Sequence, residues 1–312
     1  MAAAMRVLVT GAGSGIGRAC AERLAAHGAQ VLAGARKTAD LDTLGRIEGV
    51  TPLRLDMTVP DDAAAAAAAV AAQGGTLDGL VHNAGIGELG LLPTWTDADV
   101  RHLFETNLFG VLRLTRALMP ALLAARGRIV HVGSQGGSIT QPFYGPYTMS
   151  KHALEAMSEC LRQELAPHGV AVSIVQPGAV ATSIGERSAP GTLARLEAAQ
   201  PPFDAASRAL AQAMRAAAAQ PAAEPDERDE PESATHRKPC APDVVAAVIE
   251  QALTVQAPQA RYLVGTRWEG DRVLNALIER LLDAAGSPSH RLTRDELVAM
   301  IDAQRARRAP AR

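Results

Sequence analysis

A tyrosine and a lysine four residues apart, Tyr147 and Lys151, have the clearest chemical potential in this chain. If the segment after Pro146 is helical, positions i and i+4 share one face, so the phenol and the ammonium point the same way. A free phenol has a pKa of about 10, but a cation a few ångströms away favours the phenolate. Ser134 lies upstream, at the end of the apolar run at 128–133. The pattern indicates proton transfer by Tyr147, provided that the rest of the chain supplies a cofactor.

A glycine-rich loop near the amino terminus could provide that cofactor site. It follows a short β-type run at 6–10, precedes an alanine-rich helical pattern and carries Gly11, Gly15 and Gly17. The spacing is Gly-x-x-x-Gly-x-Gly rather than Gly-x-Gly-x-x-Gly. A strand, a glycine turn and a helix place backbone N–H groups and a helix N-terminus where a pyrophosphate can bind. The loop predicts a dinucleotide site, and the plainer alternative is a flexible glycine loop.

The residues after the second predicted strand, at 30–34, bear on which dinucleotide is bound. An acidic residue about 20 positions past the glycines often binds the adenosine ribose 2′-OH, whereas an arginine accommodates a 2′-phosphate. Here the acid is missing, Arg36 is present, and Ser14 in the glycine loop is a second candidate phosphate donor. We therefore expect NADP(H) to be favoured over NAD(H). The alternative interpretation of Arg36 is a solvated charge at a strand end.

Further β-type runs at 51–55, 77–82, 170–175 and 260–265 alternate with helical patterns. This alternation predicts an α/β fold, a doubly wound parallel sheet of about seven strands with helices on both faces. Ligands bind such sheets at the carboxyl ends of the strands. The residues that fall at those ends are Gly11, Arg36, Asp56, Asn83 and Ser134.

In their order along the chain, these motifs resemble those of the short-chain dehydrogenase/reductase family. The resemblance covers about residues 5 to 185, and the remainder matches weakly. The motifs that carry it are the glycine loop at 10–17, Asn-Ala-Gly at 83–85, Asn-Leu-Phe-Gly at 107–110, Ser134, Tyr147 with Lys151, and Pro-Gly-Ala-Val-Ala-Thr at 177–182.

The resemblance implies an NAD(P)-dependent oxidoreductase with a Rossmann-type fold. Tyr147 would be the general acid or base, Lys151 would lower the pKa of the phenol and bind the nicotinamide ribose, and Ser134 would hydrogen-bond the substrate oxygen. Asn107 would hold a water in a proton relay toward Lys151; a helix kink is the alternative interpretation. The implied cofactor-binding residues are Gly11, Ser14, Gly15, Ile16, Gly17, Arg36, Asp56, Met57, Asn83, Ala84, Gly85, Tyr147, Lys151, Pro177, Gly178, Val180 and Thr182.

The substrate pocket is less well marked in the sequence. The segment of about 183–240 corresponds to a mobile lid in the family, and a helical hairpin packed on the core is the alternative. No arginine or lysine is fixed in the pocket by a motif, so we expect an apolar ketone or secondary alcohol. The predicted wall residues are Gln135, Gly136, Phe143, Tyr144 and Ile184, with Phe203 and Met214 from the lid.

The domain organisation follows from composition. We expect one Rossmann-fold domain over 1–290, with an acidic, proline-rich loop at 221–235 that is solvated. Thr293 and Glu296 form a capping-box pattern that begins a final helix, and a basic tail ends the segment 291–312. We interpret this tail as solvated rather than as a nucleic-acid arm.

Composition narrows the partners and the compartment. A formal net charge of -2 gives no global attraction to nucleic acid or an anionic membrane. Cys20, Cys160 and Cys240 are too far apart for a metal site or a disulfide framework. No apolar run is expected to reach the ~20 residues that span a bilayer, and no signal-peptide pattern begins the chain. We therefore expect a cytoplasmic protein without metal, nucleic acid or membrane as partner.

The helix predicted at 97–126 has more than one apolar stripe, so one stripe can cover the sheet and another a second subunit. The matching helix forms a dimer face in the family, which implies a homodimer or homotetramer. His82, His131 and His152 are interpreted as packed or strand-end residues rather than catalytic bases. Two other functions stay open: a catalytically silent NADP-binding regulatory protein, and an epimerase or dehydratase that uses the same tyrosine and lysine.

Overall fold

The computed structural model describes residues 4–219, 231–233 and 237–308. The chain divides into two units, Met1–Gly270 and Asp271–Arg312. The predicted domain boundary at 290 therefore lies inside the second unit. Most of the predicted acidic loop at 221–235, and the tail beyond 308, lie outside the described residues.

A seven-stranded sheet forms the centre of the first unit. All six strand pairings are parallel, and the order across the sheet is β3-β2-β1-β4-β5-β6-β7. The order reverses between β1 and β4, as in a doubly wound sheet, which confirms the predicted fold class. The strands are β1 (Arg6–Val9), β2 (Gln30–Ala35), β3 (Val50–Arg54), β4 (Gly79–His82), β5 (Arg128–Val132), β6 (Ala171–Pro177) and β7 (Arg261–Val264).

The central strands are apolar on both faces because helices cover both sides, whereas the edge strands β3 and β7 are partly exposed. In β1, Val7 and Val9 belong to one buried cluster, while Leu8 belongs to the other. Successive side chains of a strand point to opposite faces, so one apolar run contributes to two cores. The same alternation places Val130 in the first cluster and Ile129 in the second.

Along the chain, ten of the described α-helices connect or follow the strands, and an eleventh ends the described part of the chain. The cluster around α1 and α9 fills one face of the sheet, and the cluster around α3, α5 and α6 fills the other. The helices are α1 (Gly15–Ala26), α2 (Thr38–Leu44), α3 (Pro60–Ala72), α4 (Asp97–Phe104), α5 (Gly110–Ala125), α6 (Gly145–Leu165), α7 (Ile184–Ala198), α8 (Asp204–Ala219), α9 (Pro242–Thr254), α10 (Arg267–Ala285) and α11 (Arg294–Arg308).

The second unit contains most of α10 and all of α11. The predicted capping box is confirmed there: the backbone N–H of Thr293 donates to Glu296 Oε2 at 2.7 Å, and the N–H of Glu296 donates to Thr293 Oγ1 at 3.3 Å. These two bonds satisfy donors that the first turn of α11 leaves without helical partners.

The continuous helical stretch Asp97–Ala125 corrects one expectation from the sequence. It has 29 residues, and an 18-residue window within it has a mean hydropathy of 1.5, so by length and composition it could cross a membrane. It was wrong to expect no apolar run of this length. One such helix is weak evidence, because a helix that packs in a protein core passes the same test. Here Leu103, Val111 and Leu118 are buried in the protein.

Candidate active site

A cleft with a volume of ≈ 290 Å³ opens along the carboxyl ends of the strands. Its wall brings together the glycine loop, the strand-end residues and the tyrosine–lysine pair, as the motif order predicts. The predicted residues on this wall are Gly11, Ser14, Gly15, Ile16, Arg36, Asp56, Met57, Asn83, Ala84, Gly85, Ser134, Tyr147, Lys151, Pro177, Gly178, Val180, Thr182 and Ile184. Gly17, Asn107, Gln135, Gly136, Phe143 and Tyr144 are not on it.

Tyr147 lies in the first turns of α6 and Ser134 follows β5. The Ser134 side chain lies near the Tyr147 hydroxyl and acts to lower the pKa of that phenol. Ser134 Oγ also accepts from the backbone N–H of Gly136 at 3.0 Å, which fixes the serine rotamer. The Lys151 ammonium lies 5.8 Å from the centroid of the Tyr147 ring, so the two side chains share a helix face as predicted. Two hydroxyls and one ammonium therefore converge at one end of the cleft.

The pKa of Tyr147 departs from the expectation. Burial raises it; the Ser134 side chain works in the other direction, and nearby Tyr144 adds to the increase. The expected lowering by Lys151 is not found in this structure, because the Lys151 ammonium donates to Val132 O at 3.0 Å rather than to the phenol. The phenol is therefore held in its protonated form, ready to act as an acid.

Lys151 is itself strongly perturbed. Its side chain is buried, with 6% of the residue exposed. Burial lowers its pKa to about 8 from 10.5, and the charge of Glu155, one turn further along α6, partly offsets this. Glu155 is held by Arg261 Nε at 2.9 Å and by Gln176 Nε2 at 2.8 Å. The ammonium has three N–H groups, of which Val132 O takes one.

Asn107 lies behind the wall and not on it. It sits in a π-helical segment, Glu105–Phe109, between α4 and α5. Its amide donates to Ile86 O at 3.0 Å and to Ser150 Oγ at 3.1 Å, and its Oδ1 accepts from the N–H of Ile86 at 2.9 Å. Asn107 thereby fixes the segment after β4 against α6. Its role in a proton relay stays a prediction.

The glycine loop has the geometry of a phosphate cradle. Gly11 and Gly15 have φ of 65° and 56°, a left-handed region that favours glycine. Gly17 is buried: a Cβ there would lie 2.4 Å from both Asn83 Nδ2 and Gly11 O. Gly17 is thus required for packing and does not contact the cleft. The first turn of α1 carries no acidic residue, so the loop and helix N-terminus suit a pyrophosphate.

The predicted adenosine end of the cleft contains charges of both signs. Arg36 NH1 lies 3.8 Å from Asp56 Oδ2. Burial acts to raise the pKa of Asp56, but hydrogen bonds from Thr58 and the charges of Arg36 and Arg54 outweigh it and lower that pKa. No sequence motif indicated Asp40, on α2, whose Oδ2 lies 2.5 Å from where a Cβ on Gly13 would be. An acid therefore does reach the glycine loop, from a helix and not from the strand end.

Four of the predicted pocket residues lie outside the wall of this cleft. The Gln135 amide points inward and donates to Val264 O at 3.3 Å, because the turn Gln135–Gly137 directs it toward β7. Gly136 packs under the Tyr147 ring. Tyr144 stacks edge-on with Tyr147, with centroids 6.5 Å apart. Phe143 has a φ of 71° and accepts from the N–H of Gly90 through its carbonyl. Phe203 and Met214 are also absent from the wall.

The cleft also includes residues that no motif indicated. Lys37 and Asp40 come from the loop and helix after β2, Glu88 follows β4, and Arg187 and Ser188 come from α7. They lie beside the motifs but are not part of any of them, so motif matching did not indicate them. The other unpredicted wall residues are Gly13, Ala35, Leu55, Ile86, Thr106, Val132 and Gly133.

The three histidines near the motifs have structural contacts. His82 and His131 stack with centroids 5.2 Å apart, and both are buried. Burial lowers the pKa of His131 to about 3, with Lys151 contributing, and lowers that of His82 well below its ordinary value. His152 Nδ1 contacts Thr148 O at 2.8 Å. None of the three lies on the cleft wall. Among the described residues, no group of three His, Cys, Asp or Glu could hold a metal.

Comparison with known proteins agrees with this geometry. A model for "short chain dehydrogenase" matches residues 5–192. The chain is 40% identical over 178 residues to "Uncharacterized oxidoreductase YbbO" of Escherichia coli (strain K12). The matched segment covers 56% of this chain. The match spans 66% of that relative, just under two thirds of its length.

Two solved structures share the fold over nearly their whole length. A short-chain dehydrogenase from Streptomyces avermitilis superposes with a TM-score of 0.72 and 29% identity, covering 94% of this chain and 99% of that one. A short chain dehydrogenase from Burkholderia cenocepacia J2315, crystallised with NADP, gives a TM-score of 0.64 and 25% identity, covering 91% of this chain and 98% of that one.

Proposed function

Because this chain belongs to the short-chain dehydrogenase family, we propose that it is an NAD(P)-dependent oxidoreductase that interconverts a carbonyl compound and a secondary alcohol. The observation that carries this proposal is the cleft itself. One end holds the Ser134 and Tyr147 hydroxyls with Lys151, and the other end holds the glycine loop of α1. A proton donor and a dinucleotide cradle in one cleft suit a paired transfer of hydride and proton.

Each residue at the reactive end has a separate task. A bound nicotinamide supplies or accepts the hydride. In the reductive direction Tyr147 donates its proton to the carbonyl oxygen, and Ser134 donates a hydrogen bond to the same oxygen. The raised pKa of buried Tyr147 keeps the proton on the phenol until charge develops on that oxygen. In the oxidative direction the phenolate takes the proton back.

Lys151 stabilises the negative charge left on Tyr147. Its ammonium uses one donor on Val132 O, so two N–H groups remain for ribose hydroxyls and for the phenolate. Asn107 positions the segment after β4 through both polar groups of Ile86. We assign it the water of a proton relay that leads toward Lys151, on the resemblance to the family.

We favour NADP(H) as the cofactor. Arg36 and Lys37 are cations at the end of the cleft that receives the adenosine ribose, and a 2′-phosphate needs such donors. Ser14 adds a hydroxyl. Asp40 opposes this preference by charge, which leaves NAD(H) as the alternative. NADP in the B. cenocepacia structure supports the same assignment.

The substrate is proposed to be an apolar ketone or secondary alcohol. Ile86 and Ile184 form the wall near Tyr147, and Glu88 there is neutralised by Arg195 NH2 at 2.9 Å. The cation beside Tyr147 is Lys151, which we assign to the ribose hydroxyls and the phenolate, so it is not proposed to select a carboxylate substrate.

We also propose a homodimer or homotetramer in the cytoplasm, with no nucleic acid or membrane partner. Three apolar side chains on or beside α5 and α6 are exposed. Phe109, just before α5, is 49% exposed, Leu123 on α5 is 39% exposed, and Met149 on α6 is 45% exposed. These exposed apolar side chains support the proposal, because a second copy of the chain can bury them.

The test is a panel of ketones and secondary alcohols, assayed with NADPH and NADH. We expect dinucleotide-dependent turnover, and Tyr147→Phe should reduce it by about 10²- to 10⁴-fold, the range for loss of a general acid. Tyr144→Phe is the matched control, because its ring contacts Tyr147 but is not on the cleft. Dinucleotide binding without turnover on any substrate would instead indicate a silent regulatory protein.

A further inference from the structure

Arg187, in the first turn of α7, crosses the cleft to the glycine loop. Its NH1 donates to Ser14 Oγ at 2.5 Å, a contact between residues far apart in the chain. The side chain is exposed and lies on the cleft wall. Ser14 is the residue before α1, and its side chain forms no capping bond with the helix. A cation is therefore held at the N-terminus of α1 by a neutral hydroxyl.

The other arginine of this helix, Arg195, is buried and has different partners. The Arg195 guanidinium lies 3.4 Å from the centroid of the Trp95 ring, and ion pairs join it to Glu88 and Asp99 at 2.9 and 3.5 Å. Arg195 thus has the carboxylate partners that a buried cation requires. Arg187 takes part in none of the ion pairs found among the described residues, so its charge is available to a ligand.

The position of Arg187 is fixed by its neighbours on α7. The backbone N–H of Gly87 donates to Ser188 Oγ at 3.3 Å, and that of Leu89 donates to Thr192 Oγ1 at 2.9 Å. Both acceptor side chains are buried. One face of α7 is thereby attached to the segment after β4, and this attachment aims Arg187 at the loop.

The segment before α7 meets the same loop. A Cβ on Gly15 would lie 3.0 Å from Thr182 Cγ2. Ser14 and Gly15 therefore contact the lid side of the cleft, whereas Gly13 faces Asp40 on the opposite side. The N-terminus of α1 presents unpaired N–H groups. Together with Arg187 these groups form one positive region beside the glycine loop.

We propose that Arg187 binds the pyrophosphate of the dinucleotide, exchanging the Ser14 hydroxyl for phosphate oxygens, and that this bond holds α7 closed over the cleft. The inference rests on the proposed function, because it requires a dinucleotide in the cradle. A planar guanidinium matches two phosphate oxygens at once, and charge-assisted bonds of this kind are strong. Cofactor and lid are then coupled: a bound pyrophosphate stabilises the closed position of α7.

The first measurement is the dissociation constant of NADPH and of NADH for Arg187→Ala, followed by cofactor fluorescence. Both constants should rise by the same factor, about 10- to 100-fold, because both dinucleotides carry the pyrophosphate. Arg187→Lys should recover part of the affinity, because the lysine ammonium keeps the positive charge but lacks the planar fork of the guanidinium. Arg208→Ala, an exposed arginine on α8 that is paired with Asp204, is the matched control and should change neither constant.

The second measurement is hydrogen exchange of α7 with and without NADPH. In the unmodified protein NADPH should slow exchange over 184–198, and in Arg187→Ala this protection should be lost even at saturating NADPH. Unchanged dissociation constants, or protection that persists in the variant, would overturn the proposal. A loss confined to NADPH would assign Arg187 to the 2′-phosphate and also overturn it. If the unmodified protein bound neither dinucleotide, the proposed function would fail as well.

Discussion

Replacing Lys151 with methionine should stabilise the cofactor-free protein at neutral pH. Burial brings the pKa of Lys151 from 10.5 to about 8, with Glu155 as a partial offset. Since a tenfold change in an equilibrium is about 1.4 kcal/mol, holding this charge in the folded state costs about 3 kcal/mol at pH 7. The variant also loses the hydrogen bond to Val132 O, worth about 1 kcal/mol. The free energy of unfolding should therefore rise by about 2 kcal/mol.

The pH dependence has a definite sign. Below pH of about 8 both folded and unfolded chains carry the proton, so the full cost is present. Between the folded pKa and the unfolded value of 10.5 the unfolded chain binds more protons, so the stability of the unmodified protein rises with pH. The advantage of the methionine variant should therefore shrink as the pH rises from 8 to 10.

The assay is urea unfolding of both proteins at pH 7, 8, 9 and 10, in the absence of dinucleotide. Other titrating groups cancel in the difference between the two curves. Lys37→Met is the control, because Lys37 is exposed and its ammonium stays in water. If Lys151→Met were less stable than the unmodified protein at pH 7 by an amount independent of pH, the buried ammonium would be fully compensated and this reasoning would be refuted.

Three other predictions concern single positions. His131→Leu should reduce the decrease in the free energy of unfolding between pH 6.5 and 5. His131 stays neutral in the folded protein down to a pKa of about 3, so acid favours the unfolded chain by up to about 1.4 kcal/mol per pH unit. An unchanged dependence of the free energy of unfolding on pH, measured by urea titration, would contradict this. Asn107→Leu should cost about 2 to 3 kcal/mol in the same assay, because both polar groups of Ile86 lose their partner; a neutral change would show that water replaces the amide. Arg36→Ala should raise the dissociation constant of NADPH by about tenfold or more and leave that of NADH unchanged. If the substitution changed both dissociation constants by the same factor, Arg36 would not bind a 2′-phosphate.

The fold was predictable because its signals are local. Apolar runs such as that of β5 cannot be exposed, and the glycine loop between β1 and α1 has few structural alternatives. The i, i+4 relation between Tyr147 and Lys151 is also local, and it is confirmed. The pKa values of the same two residues were not predictable, because they depend on how deeply α6 buries them against β5.

The missed residues share a different property. Asp40, Glu88 and Arg187 reach the cleft from helices and loops whose approach depends on tertiary packing, and no spacing in the sequence encodes that approach. Gln135 was misplaced for the same reason: adjacency to Ser134 suggested the pocket, but a turn directs its amide toward β7. The sequence therefore predicted the chemistry at strand ends better than the walls that select the substrate.

The central claim is a coupled transfer of hydride and proton in this cleft. The most direct test uses NADPH that carries two deuterium atoms at nicotinamide C4, incubated with apolar ketones in ordinary water. The account predicts an alcohol with one deuterium on the carbinol carbon, formed by the unmodified protein and reduced by about 10²-fold or more in Tyr147→Phe. The claim would be contradicted if no ketone were consumed, if the alcohol carried no deuterium, or if Tyr147→Phe turned over at the full rate.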